Sequence, residues 1–120
     1  MKMKDEFCLI LCTCPDMDVA QSLATRLIGD HLAACVNVLP GVRSVYVWDG
    51  KIENAQEVQL FIKTQPQCYE AISYFMKAHH PYEVPELLMV PINGGDEGYL
   101  AWVKDWIGVS HQPQAGGSSL

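Results

Sequence analysis

The residues of this chain best suited to chemistry are four of its cysteines and one pair of histidines. Cys8 and Cys12 share parity on an apolar run, Cys14 follows just past its end, Cys35 opens a second run, and His79-His80 precede Pro81. Thiolate sulfur and imidazole nitrogen together suit soft or borderline ions such as Cu(I), Cu(II) and Zn(II). Cys12-Thr13-Cys14 is not a C-x-x-C knuckle, however. Adjacent histidines on a regular helix also diverge by about 100°, given roughly 3.6 residues per turn. His79 and His80 can converge only if the helix unwinds before Pro81. The alternative is that Cys8, Cys12 and Cys35 are small core hydrophobes and the histidines meet helix C-terminal carbonyls. Spacing alone leaves both readings open.

Signatures of catalysis are missing. The chain contains no G-x-S-x-G, H-E-x-x-H, Walker A or G-x-G-x-x-G pattern. Ser44 has no evident His/Asp partner, and a nucleophilic Cys12 would need a neighbour that lowers its pKa. Trp48, Lys63, Tyr82, Glu83 and Glu86 are candidates to line a small-ligand cleft between subunits. Against that stands a proline-stiffened loop with solvated carboxylates and an interface tryptophan. The expectation is a binding protein, not an enzyme.

The elements that must position these residues begin with an apolar strand, Phe7 to Thr13, expected to be buried on both faces. Pro15-Asp16 opens a helix whose apolar residues Val19, Ala20, Leu23, Ala24, Leu27 and Ile28 recur at helical spacing, with an end expected near His31 to Ala34. Asp49-Gly50 then sits between two β-rich runs and supplies the positive φ angles of a type I′ hairpin turn. Its arms, Cys35 to Trp48 and Lys51 to Thr64, are each more than twice the usual strand length of roughly 5–6 residues. A small domain cannot cover such arms, so the hairpin is expected to reach into another subunit. The alternative is two shorter strands bent at Pro40 within a monomer. Pro40-Gly41 marks a bend or bulge. Pro66-Gln67 leads into a second helix that Pro81 stops, Glu86 to Ile92 is a further strand, and Tyr99 to Ile107 a short last helix. The order β-α-β-β-α-β with a terminal helix is the α+β, ferredoxin-like pattern, with both main helices on one face of the sheet.

Length and composition bound the rest. A chain of 120 residues makes one domain that profits from oligomerisation. Eight basic against fourteen acidic residues give a net charge of −6, and no basic cluster draws it to nucleic acid. No apolar run of about 18 residues spans a membrane. Asp5 and Glu6 interrupt the lysine-led start, which therefore reads as a strand and not a signal peptide. Five cysteines, an odd number, point to reduced thiols and a cytoplasmic protein. Residues 1–109 are expected to form the domain. Residues 110–120, SHQPQAGGSSL, read as a disordered tail.

The segments LAACVNVLPGVRSVYVWDGKIENAQEVQLFIKT, HHPYEVPELLMVPINGG and YLAWV, in that order, resemble the CutA divalent-cation tolerance family from about Cys8 to Trp106. The resemblance implies a ferredoxin-like protomer in a homotrimer whose hairpin strands pair between subunits. It implies a role in the response to metal ions and copper tolerance, with copper as the bound cation and zinc or another divalent ion as a further candidate. The family's ligand positions fall on Cys12, His79 and His80, with Cys35 as a candidate additional ligand. Cys14 stands where the family more often has a small residue, so a role for it in a C-x-C site would be peculiar to this chain. Two other classes use the same protomer: P-II-like trimeric signalling proteins with clefts between subunits, and acylphosphatases. PGVRS lacks the Gly-rich anion loop of the latter, and a shared fold carries no function by itself.

Overall fold

A computed structural model of the chain describes residues 6–111, with side-chain surroundings described through residue 108. The first apolar run forms β1 (Phe7–Cys14), whose inner residues Cys8, Ile10, Cys12 and Cys14 are fully buried. Asp16 caps α1 (Met17–Gly29), its carboxylate accepting from the Val19 N–H at 2.9 Å.

The end of α1 corrects the expected one: the helix stops at Gly29, and His31 takes a φ of 59°. The N–H groups of His31 and Leu32 turn back to the carbonyls of Ile28 and Leu27, each at 3.0 Å. This Schellman closure usually takes glycine at the left-handed position. The histidine is held there by its ring, which stacks on Trp106 at 3.8 Å and bonds the Trp106 carbonyl through Nδ1 at 2.8 Å. Trp106 in turn donates from its indole N–H to the Ile28 carbonyl at 3.0 Å.

β2 (Cys35–Trp48) and β3 (Lys51–Thr64) form the long hairpin with the expected arms. Asp49 and Gly50 have φ of 52° and 78°, the two positive angles of a type I′ turn. The register slips between Leu39 and Val42, where Gly41 at φ 79° makes a bulge. A single 3₁₀ turn, Pro66–Cys68, leads into α2 (Tyr69–His79).

β4 (Leu88–Ile92) is shorter than the expected Glu86 to Ile92. It pairs with β1 only as far as Leu11↔Leu88, and beyond that pair the Thr13 carbonyl accepts from the His80 ring. α3 (Glu97–His111) begins earlier and ends later than Tyr99 to Ile107. Asp96 caps it, accepting from the Tyr99 N–H at 2.9 Å. Ser110 and His111, assigned above to a tail, belong to α3, and the remainder of that segment lies outside the described residues.

The four strands are antiparallel in the order β2-β3-β1-β4, the ferredoxin-like arrangement. Residues Ala20, Leu23 and Leu27 of α1 and Ile72 and Met76 of α2 join Ile10, Leu60 and Ile62 in one core. Within a single chain β1 is fully covered on that side only. Leu9 and Leu11 stay half-buried, and Leu88 and Val90 beside them are exposed. Among the described residues no helix is long and apolar enough to cross a membrane.

Candidate metal centre

Alternation along β1 sends the side chains of Cys12 and Cys14 to the same, helix-covered side of the sheet. The third member of the centre comes from the end of α2. A residue before proline is driven out of the α region, and His80, preceding Pro81, has φ −78° and ψ 138°. Its N–H still closes the helix on the Met76 carbonyl at 2.8 Å, while its ring swings to the end of β1. One ligand atom from each of Cys12, Cys14 and His80 lies within 4.8 Å of the others, and all three residues are buried.

The His80 ring is held from both sides. Nε2 donates to the Thr13 carbonyl at 2.9 Å, and Nδ1 accepts from the Tyr82 N–H at 3.1 Å. These bonds define the neutral tautomer with its proton on Nε2. Tyr82 continues the chain, its hydroxyl donating at 2.7 Å to Glu57, a carboxylate only 8% exposed.

Charge is divided unequally between the two thiols. The Cys12 thiol hydrogen bond lowers Cys14 to about 6, and His80 pulls the same way, against burial. Cys12 moves far upward because its hydrogen is engaged by Cys14, because it is buried, and because Glu86 and Glu57 lie near. The two opposite shifts share one cause, the hydrogen bond between the sulfurs. Burial opposes a charge on His80, but Cys14, the Thr13 carbonyl and Glu57 favour it, and the balance is upward. The Tyr82 N–H on Nδ1 restrains that rise, since an imidazolium would lose this bond. Two sulfurs and an imidazole nitrogen form a donor set that fits a soft or borderline cation.

Of the residues expected to act, the structure brings Cys12 and His80 together and adds Cys14. It leaves His79 elsewhere: still on α2, exposed, with the Arg26 guanidinium 3.2 and 3.4 Å from its ring nitrogens and Phe75 4.8 Å away. The helix does unwind before Pro81, but this separates the two histidines instead of joining them. Cys35 pairs with Lys63, which pairs with Leu9, so it lies on the opposite face of the sheet from Cys12.

Tyr82 and Glu86 adjoin the centre. Lys63 lies across the sheet, lining a cavity of about 290 Å³ with Phe7, Leu9, Tyr99, Leu100 and Val103. Trp48 stands exposed at the hairpin tip, and Glu83 is exposed in its loop. Within one chain these five residues share no cleft. No local signal in the sequence marks Glu57, whose burial and bond to Tyr82 arise only in the folded chain.

The family of CutA1 divalent ion tolerance proteins matches residues 8–106, a span that includes every residue of the centre. The chain belongs to the CutA family. The divalent-cation tolerance protein CutA of Yersinia pestis (strain Pestoides F) is 47% identical over 96 residues, covering 80% of this chain and 81% of that protein. The crystal structure of CutA1 from the psychrotrophic bacterium Shewanella sp. SIB1 is 46% identical with a TM-score of 0.83, covering 86% of this chain and 96% of the other. The periplasmic divalent cation tolerance protein CutA of Archaeoglobus fulgidus is 34% identical with a TM-score of 0.82, covering 84% and 98%. CutA structures thus share the ferredoxin-like architecture described above, and these comparisons lend the P-II-like alternative no support.

Proposed function

We propose that this CutA-family chain is a homotrimeric metal-binding protein acting in divalent-cation tolerance, with copper as its principal cation and zinc as a second. The observation that carries the reading is the convergence of Cys12 and His80, from a strand and a helix end far apart in sequence, in one buried cluster. A reaction is not part of the proposal. Its tolerance role is supported by the names of the relatives.

The trimer is supported by what one chain leaves uncovered. β1 pairs with β3 only along Val58–Thr64, so the outer hairpin projects with Val45, Val47, Trp48 and Ile52 exposed. A cytoplasmic, reducing location is supported by the odd number of cysteines, five, which cannot make a complete disulfide framework, and cell fractionation tests it.

Calorimetric titration of the reduced protein with Cu(I) and Zn(II) under anaerobic conditions tests the metal reading. Cys12→Ser and His80→Ala should each weaken binding at least about tenfold, the smaller effect known for merely outer-shell partners of a metal. Native affinity in both variants would overturn it. Light scattering that finds a monomer at micromolar concentration would overturn the trimer.

A further inference from the structure

We propose that Cys14 is the third ligand of this centre, which makes it a two-thiolate, one-imidazole site selective for soft d10 cations such as Zn(II), Cd(II) and Cu(I). The inference rests on the metal-binding reading above and deepens it, because the resemblance assigns Cys14 no part.

Geometry supplies the first argument. A tetrahedral ion with bonds of about 2.0 Å to nitrogen and 2.3 Å to sulfur holds its donors roughly 3.5–3.8 Å apart. The donors of Cys12, Cys14 and His80 already lie within 4.8 Å of one another, so side-chain adjustments of about 1 Å close the site. Strand parity puts Cys12 and Cys14 on the same face of the sheet, with their sulfurs already within 4.8 Å of each other. Neither other candidate can do this. His79 would have to leave Arg26 and Phe75 and unwind the last turn of α2, and Cys35 is across the sheet.

Burial and charge supply the second. All three residues are buried, so packing holds them and little ordering remains to be done on binding. Two thiolates neutralise a divalent ion, and Glu57 and Glu86 near the sulfurs keep the surroundings favourable to a cation. Binding releases to solvent whatever thiol protons remain. A metal on His80 Nδ1 takes the place of the Tyr82 N–H and leaves the Nε2–H bond to Thr13 intact, whereas a metal on Nε2 costs both bonds, because the ring proton must then move to Nδ1. Sulfur ligands set the preference: Mg(II) and Mn(II) seek oxygen and gain little from thiolates.

The test uses the full chain, reduced and metal-free under anaerobic conditions, titrated with Cd(II). Thiolate-to-metal charge-transfer absorbance counts the sulfurs bound, and competition with a chromophoric chelator gives affinity. The native chain should show two thiolates per Cd(II), with no displacement by excess Mg(II). Cys14→Ala should halve the absorbance and weaken binding by more than the roughly 10–100-fold typical of losing an outer-shell partner. Cys14→Ser serves as a second variant, and far-UV circular dichroism checks that both fold. Full absorbance and affinity in a folded Cys14 variant would overturn the inference. If Cys12→Ser then abolishes binding, the metal-binding reading stands without Cys14. If Cys12→Ser also binds normally, both fail together.

Discussion

His80 donates from Nε2 to the carbonyl of Thr13 at 2.9 Å, and this one bond ties the end of α2 to the residue between Cys12 and Cys14. It places an imidazole beside two sulfurs, and it separates His80 from its neighbour His79, which stays on the helix against Arg26. A metal that recruits His80 displaces the Tyr82 N–H if it binds Nδ1, and the Thr13 carbonyl as well if it binds Nε2.

The two histidines should therefore behave differently. His79→Ala is a surface change, expected to shift stability by no more than about 0.5 kcal/mol and to leave copper affinity within roughly the twofold that this energy represents. His80→Ala should lower copper affinity at least about tenfold. Chelator competition on the two single variants checks the contrast, and equal losses would place His79 in the coordination sphere after all.

Tyr82→Phe removes the only hydrogen-bond donor seen on buried Glu57 among the described residues. A buried acceptor left without its donor costs about 1–3 kcal/mol. Urea unfolding of Tyr82→Phe should show a loss in this range. A loss below about 0.5 kcal/mol, typical of exposed sites, would mean that water reaches Glu57 freely.

Alkaline pH should destabilise the reduced, metal-free fold. Burial, with Cys68 adding, raises Cys8 from 9.0 to about 11. A raised group contributes stability that is complete below its unfolded pKa, and that contribution is lost as pH rises through the folded value. The window is therefore about pH 9 to 11, and two pKa units correspond to about 3 kcal/mol at most. Cys12, also raised, acts in the same direction. Urea midpoints at pH 8 and 10.5 should fall for the native chain and fall less for Cys8→Ala. An unchanged slope in the variant would remove Cys8 from the account.

Assembly is tested at the hairpin's projecting end, since Val58 and Leu60 belong to the chain's own core and a charge there unfolds the protomer itself. Val47 and Ile52 are a directly paired couple, 70% and 78% exposed. Val47→Asp and Ile52→Asp should leave the circular dichroism spectrum intact while light scattering falls to the mass of one chain. A trimer that persists in both would show that the outer hairpin is not its interface.

Much of the fold was legible because local rules decided it. Asp49-Gly50 dictates its turn, Pro40-Gly41 its bulge and Asp16 its cap, each through the conformations or hydrogen bonds those residues favour. Boundaries were less legible. The closure of α1 at His31 depends on Trp106, a partner 75 positions away, and no local signal announces it. The early start of α3 could have been read from Asp96, whose carboxylate is a strong cap placed just before the helix.

By itself, the sequence determined the donors on offer, thiols with strand parity and a histidine forced off its helix by Pro81, because parity and pre-proline sterics act within a few residues. Only the tertiary structure decided which donors meet. Cys14 joins Cys12 and His80 because β1 ends where α2 ends. Cys35 is excluded because strand register puts it on the far face. His79 is excluded because Arg26, from another helix, holds its ring. Those outcomes depend on how distant segments pack, and residue spacing along a chain does not encode that directly.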